Sequence, residues 1–218
     1  MKHHLIDEIH QAIQGKKHII WDWNGTLLND VDHAVNVINS ILIEHKIELI
    51  DKRKYRQIFD FPVVKYYEAL GFDFSKESFE NLCHKFVDRF MAGVPQLPLI
   101  SESRSVLLQL HKEGLDQSIL SATDQANLES MISHFELNSI FKYVFGIDNK
   151  MASSKIDRGH ELINISKIHK DKTVIIGDTL HDLDVADSLG IDAVLISHGH
   201  QCHTRLKPKH NKVIEVHI

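Results

Sequence analysis

The sequence predicts a doubly wound α/β fold, a parallel sheet with helices on both faces, interrupted after its first strand by a helical insert. Three observations predict it. The apolar run Ile19-Ile20-Trp21 stops abruptly at Asp22, as a buried strand does when an acid ends it. Residues 30–93 show helical spacing throughout and no convincing strand. Beyond residues 93–98, short apolar strands alternate with helical segments, the order that a parallel sheet requires.

Taken in order, Leu5, Ile6, Ile9 and Ile13 recur at helical spacing, so a short amphipathic helix precedes the first strand and ends at Gly15. Val31, Val35, Ile38 and Leu42 open the insert as a helix, with Asn29 or Asp30 as its cap. Helices at 52–59, 63–70 and 76–91 complete it, and the Pro-containing stretch 93–98 returns stiffly to the core. The core is therefore 1–29 with 94–218, and the insert is 30–93. Val106, Leu107 and Leu110 mark a helix closed by Gly114; Ser118-Ile119-Leu120 is a strand ending at Ser121. A helix at 127–135, a strand at 143–145 and a helix at 155–168 follow. A strand at 173–176 runs into Gly177-Asp178, and the helix 180–189 is closed by Gly190. A strand at 193–196 and an edge strand at 213–216 finish the sheet.

The length of 218 residues suits such a core with one insert. A formal net charge of −5 argues against nucleic acid as a partner. Cys83 and Cys202 give no disulfide framework, which makes a reducing cytoplasm the default. No apolar run approaches the ~18 residues that span a bilayer, so no membrane partner is expected. His3, His4, Asp7 and Glu8 occupy the place of a signal-peptide apolar core.

Four places carry chemistry, each after a strand or at the head of a helix: Asp22, Ser121, Lys155 and the pair Asp178/Asp182. Open α/β sheets bind ligands at the carboxyl ends of their strands. Asp22-Trp23-Asn24-Gly25-Thr26 resembles the first motif of the haloacid dehalogenase superfamily, Asp-x-Asp-Gly-Thr, except that Asn24 stands where that motif has its second acid. Ile119-Leu120-Ser121 resembles the second motif. Lys155 resembles the third motif's lysine; Lys150 competes for that role, and Ile156 stands where a Pro is usual. Gly177-Asp178-Thr179-Leu180-His181-Asp182 resembles the fourth. The insert is similar to the small α-helical cap of phosphoglycolate phosphatase-like members.

The resemblance implies a Rossmann-like core with an α-helical cap and Mg²⁺-dependent hydrolysis of a small phosphorylated metabolite. Asp22 would be the nucleophile that forms an aspartyl-phosphate, splitting one hard displacement into two. An anion attacking an anion needs charge neutralisation, and Mg²⁺ is a hard ion suited to oxygen ligands. Its ligands would be Asp22, the backbone carbonyl of Asn24, Asp178 and Asp182, the last binding directly or through water. Ser121 and Lys155 would hold the phosphate, with Thr26 and the backbone N–H of Trp23. Lys65 lies where cap residues meet the leaving group, and phosphonate-cleaving relatives use a cap lysine as a Schiff base. Asn24 cannot exchange a proton at neutral pH, which leaves a slow phosphatase, a phosphotransferase or a weak binder of phosphorylated ligands as the outcomes.

Two features fall outside those motifs. Lys52, Arg53, Lys54 and Arg56 read as a solvated basic helix face. His198, His200, Cys202 and His203 offer zinc-ligand types at crowded spacing, with no second cluster to close a four-ligand site.

Overall fold

In the computed structural model, residues 5–147 and 155–215 are described. Lys150, His3, His4 and the last residue of the expected edge strand, Val216, lie outside them. Six strands form one parallel sheet: β1 (His18–Trp21), β2 (Asp116–Asp124), β3 (Tyr143–Ile147), β4 (Thr173–Gly177), β5 (Asp192–Ile196) and β6 (Val213–Ile214). Their order across the sheet is β3-β2-β1-β4-β5-β6, which puts β1 between β2 and β4.

Side chains alternate along a strand, so the apolar run in β1 serves both faces. Ile19 and Trp21 face one layer, built from α1 (Leu5–Ala12), α6 (Ser103–Lys112) and α7 (Gln125–His134). Ile20 faces the other, where α8 (Lys155–Ser166) and α9 (Leu180–Leu189) pack through Leu162, Val185 and Leu189. Burial on both faces explains why β1 and β4 read as continuous apolar runs.

Between β1 and α6 lie four helices: α2 (Val31–Glu44), α3 (Lys52–Ile58), α4 (Val63–Leu70) and α5 (Phe79–Gly93). The two chain crossings into this insert are tied to each other. Asn29 N–H donates to Pro98 O at 3.0 Å and Ile100 N–H to Leu27 O at 2.8 Å, with an antiparallel bridge between Leu28 and Leu99.

Two local expectations change. The strand expected to stop at Ser121 continues to Asp124, because a register shift against β3 after Leu120 lets pairing resume at Ile147. Asp30 sits at the N-cap position of α2, but its side chain makes no capping bond there. That carboxylate is used elsewhere.

Candidate active site

The carboxyl ends of the central strands converge. Asp22 follows β1 directly, Ser121 lies near the end of β2, Asp178 follows β4, and the loop after β5 brings in His200. Lys155, the first residue of α8, completes the group. Only tight turns allow this approach. Gly25 has φ +72°, and a Cβ there would lie 2.5 Å from Asp178 Oδ2; a Cβ on Gly199 would collide with the same carboxylate. Both glycines let backbone press against Asp178, which no other residue permits.

Lys155 is 3% exposed, and its Nζ donates to Asp22 Oδ1 and to Asp182 Oδ1, each at 2.6 Å. A buried ammonium needs such partners. Burial alone would lower the Lys155 pKa, but the charges of Asp182 and Asp22 outweigh it and hold the side chain protonated. Asp182 also accepts from Thr179 N–H and Thr179 Oγ through Oδ2, a capping box at the start of α9. Burial raises Asp182, yet the Lys155 ion pair and these bonds keep it below its ordinary value. Asp22 and Asp178 move the other way. Burial lifts both; Lys155 opposes this at Asp22 and His200 at Asp178, while the neighbouring acids add to it.

Asn24 is held at both ends. Its Nδ2 donates to Asp30 Oδ2 at 2.7 Å, and its Oδ1 accepts from Thr123 Oγ at 2.6 Å. The other oxygen of Asp30 accepts from Gly25 N–H at 2.7 Å and lies 3.3 Å from His200 Nε2. His200 Nδ1 meets the Tyr55 hydroxyl at 2.7 Å, and its backbone N–H donates to Asp178 Oδ2 at 2.5 Å. Burial would lower the His200 pKa, but Asp30 and Asp178 raise it to about 9, so the ring is a cation at neutral pH. Among the described residues, four buried carboxylates (Asp22, Asp30, Asp178, Asp182) thus face two buried cations, Lys155 and His200. The three acids Asp22, Asp178 and Asp182 each bring a ligand atom within 4.8 Å of the others. Burial and the neighbouring acids raise Asp22 to about 8 and Asp178 to about 6, a crowding of carboxylates that a divalent cation would relieve.

The remaining candidates fall as follows. Ser121 is buried at the cavity, and its Oγ accepts from Thr123 N–H at 3.1 Å, which leaves its own proton out of that bond. Thr26 does not line the cavity; its hydroxyl donates to Asp178 Oδ1 at 2.9 Å, so it orients a carboxylate. The Trp23 side chain is buried against Phe135, away from the cavity lining. Lys65 is exposed on α4 and is not among the lining residues, so it is badly placed for a Schiff base with a bound ligand. Asp182 is also absent from the lining. Of the basic clump, Arg56 turns inward and donates to Ser197 O, clamping α3 onto the loop after β5. Arg205 adds bonds to Phe59 O at 2.6 Å and to Asp60 at 3.0 Å. Among the described residues the only cluster arranged for a metal is the three aspartates, so the histidine loop 198–203 forms no zinc site there. His200 instead enters the carboxylate cluster.

Asp30, Thr123 and His200 are the site residues that sequence reasoning missed. Signals for two of them were available. Thr123 is two residues beyond Ser121, in the same carboxyl-terminal stretch of one strand. His200 follows a predicted strand end, the same setting as Asp22 and Asp178.

Above the carboxylates lies a cavity of about 230 Å³, roofed by the helical insert. A parallel sheet with an acid, a lysine and a metal-ready carboxylate pair at its carboxyl edge, closed by helices, defines a hydrolase of the capped α/β class. The chain belongs to the haloacid dehalogenase-like hydrolases: the family model matches residues 19–196. It is 23% identical over 181 residues to the phosphoglycolate phosphatase of Synechococcus elongatus, covering 83% of this chain and 84% of that protein. A haloacid dehalogenase-like hydrolase from Streptococcus pneumoniae superposes with a TM-score of 0.78 at 18% identity, over 93% of this chain and 95% of that one. CbbY from Rhodobacter sphaeroides, in complex with phosphate, superposes with 0.70 at 15% identity over 91% and 93%. These structures share the fold. Among the described residues no helix is long and apolar enough to cross a membrane.

Proposed function

We propose that the protein is a Mg²⁺-dependent hydrolase of small phosphate monoesters that works through an aspartyl-phosphate on Asp22. The observation that carries this reading is the Asp22 carboxylate itself. It is buried yet faces the cavity, is oriented by Lys155 at 2.6 Å, and has Asp178 close by. The relative from Synechococcus is a phosphatase, and CbbY binds phosphate in the same fold.

Asp22 and Asp178, with the backbone carbonyl of Asn24, would hold the ion. Mg²⁺ there supplies charge neutralisation for attack by an anion on an anion. Asp182 acts through Lys155, which it holds in place, and through the Thr179 turn. Asp22 attacks phosphorus through the oxygen that Lys155 does not occupy; the phosphorus–ester oxygen bond breaks, and the alkoxide departs toward the cap and takes its proton from water. Lys155 balances charge on Asp22 and on the phosphoryl group, while the Ser121 hydroxyl donates to a phosphoryl oxygen. Water then hydrolyses the acyl phosphate. Asn24 cannot give the leaving oxygen its proton, so alkyl esters react slowly and good leaving groups react faster. Slow hydrolysis also favours a second outcome, transfer of the phosphoryl group from Asp22 to an alcohol acceptor.

The test is a phosphatase assay on a metabolite panel with Mg²⁺ or chelator. Activity should vanish in chelator and return with Mg²⁺, and Asp22→Asn and Asp178→Asn should each abolish it while the protein stays folded. Full activity in chelator would rule the mechanism out.

A further inference from the structure

The two ends of the cavity are chemically opposite. At the sheet end are Asp22, Ser121, Lys155, Asp178 and His200, the groups that would meet a phosphate and its metal. The cap end is walled by Phe59, Phe61, Tyr66, Phe79, Phe86 and Phe90, with aliphatic side chains between them. The rings pack on each other, Phe59 on Phe61 at 5.6 Å and on Tyr66 at 5.3 Å between centroids. Among the described residues the helices α2 to α5 put no Lys, Arg, Asp or Glu into that wall. The basic side chains that line the cavity, Lys155 and His200, both lie against carboxylates at the sheet end. The polar groups that the cap brings to the lining residues are few and uncharged: the hydroxyls of Tyr55, Tyr66 and Tyr67 and the Cys83 thiol. The Tyr66 hydroxyl is fully buried and does not open onto the cavity surface. The Tyr55 hydroxyl is taken by His200.

We infer that the leaving group is an uncharged, largely apolar alcohol, aromatic or branched aliphatic. This rests on the phosphatase reading above and names its substrate class. The physical reason is selective. A carboxylate or second phosphate in the leaving group would lose its hydration with no cation to replace it. An aromatic or aliphatic group gains contact with ring faces and edges along the whole chamber, and a pocket of this size and lining suits a ligand with few polar groups. A leaving group such as glycolate, whose carboxylate would enter the cap, is disfavoured for the same reason.

The experiment compares benzyl phosphate, 4-carboxybenzyl phosphate and 2-phosphoglycolate on the Mg²⁺-loaded enzyme. The two benzyl esters have similar leaving groups, so their ratio reads the chamber and not the chemistry. Benzyl phosphate should exceed both carboxylate esters in kcat/KM by about 10²-fold or more. Val87→Lys places an ammonium in the wall on α5, and it should shift the benzyl to 4-carboxybenzyl ratio at least about 10-fold toward the acid. General damage would lower both rates and leave the ratio alone. Hydrolysis with equal or reversed preference overturns the substrate class while leaving a phosphatase. If no ester is turned over, calorimetry with benzylphosphonate and phosphonoacetate decides. Tighter benzylphosphonate binding upholds the apolar chamber and rejects the phosphatase; equal or reversed affinity rejects both.

Discussion

Replacing Asn24 by Asp is the most informative single change in the site. The amide now donates to Asp30 at 2.7 Å and accepts from Thr123 at 2.6 Å. A carboxylate keeps the bond from Thr123 but loses the donor facing Asp30. Two ionised carboxylates with oxygens 2.7 Å apart would repel by roughly 6 kcal/mol at an effective dielectric of about 20. His200, 3.3 Å from Asp30 and positively charged, offsets part of this. The pair avoids the rest by sharing one proton, as close carboxylates do. That O–H restores the lost hydrogen bond and puts a transferable proton beside the leaving oxygen. Positioned acid–base groups are worth ~10²–10⁴-fold, so N24D should raise kcat on an alkyl phosphate by that order and change an aryl phosphate little. The gain should be greatest at mildly acid pH and fade as pH rises and the shared proton is lost. Thermal stability should follow the same trend, near wild type in acid and lower in base. The assay is kcat for benzyl and 4-nitrophenyl phosphate across that pH range. If N24D leaves both rates unchanged or lowers both, the Asn24 amide belongs to the native mechanism and the missing-acid reasoning is wrong.

Two further outcomes can be checked without knowing the substrate. His18 is fully buried in β1, and burial, reinforced by Lys142 and opposed by Asp116, lowers its pKa from 6.5 to about 4. The unfolded chain therefore binds the extra proton between these values, so the contribution is complete above pH 6.5 and lost as pH falls through about 4. It amounts to on the order of 3 kcal/mol; denaturant melts across that window should show the loss in wild type and a smaller one in His18→Gln. In the cap, Phe61 lines the cavity and Lys65 does not. Phe61→Ala should alter the preference among esters, whereas Lys65→Ala should leave kinetics and borohydride sensitivity as in wild type.

Much of the core was legible because its signals are local. Asp22 is marked by an apolar strand that ends in an acid, and Asp178 follows a second one, so one rule about strand ends locates both. Lys155 was visible as a helix opener, although nothing in the sequence says that its ammonium is shared between Asp22 and Asp182. Asp182 was legible as an acid one turn after Asp178. Its use in a Thr179 capping box was encoded too, three residues apart, but competed with the metal-ligand reading. What was not legible depends on long-range meetings. Asp30 reads as a helix cap until the tight turn at Gly25 places its carboxylate against Asn24 and a backbone N–H. Arg56 reads as solvated until α3 docks on the loop after β5. The apolar chamber is likewise a tertiary product, since its rings come from three helices and the turns between them.

The most direct measurement is a rapid quench of the Mg²⁺-loaded enzyme with acetyl phosphate, followed by peptide mass mapping. Asp22 as nucleophile requires a single added phosphoryl group on the peptide that contains it. With Asn24 unable to activate water, that species should accumulate in wild type, decay faster in N24D and be absent in Asp22→Asn. A phosphoryl group on any other residue, or hydrolysis that persists in Asp22→Asn, would contradict the assignment.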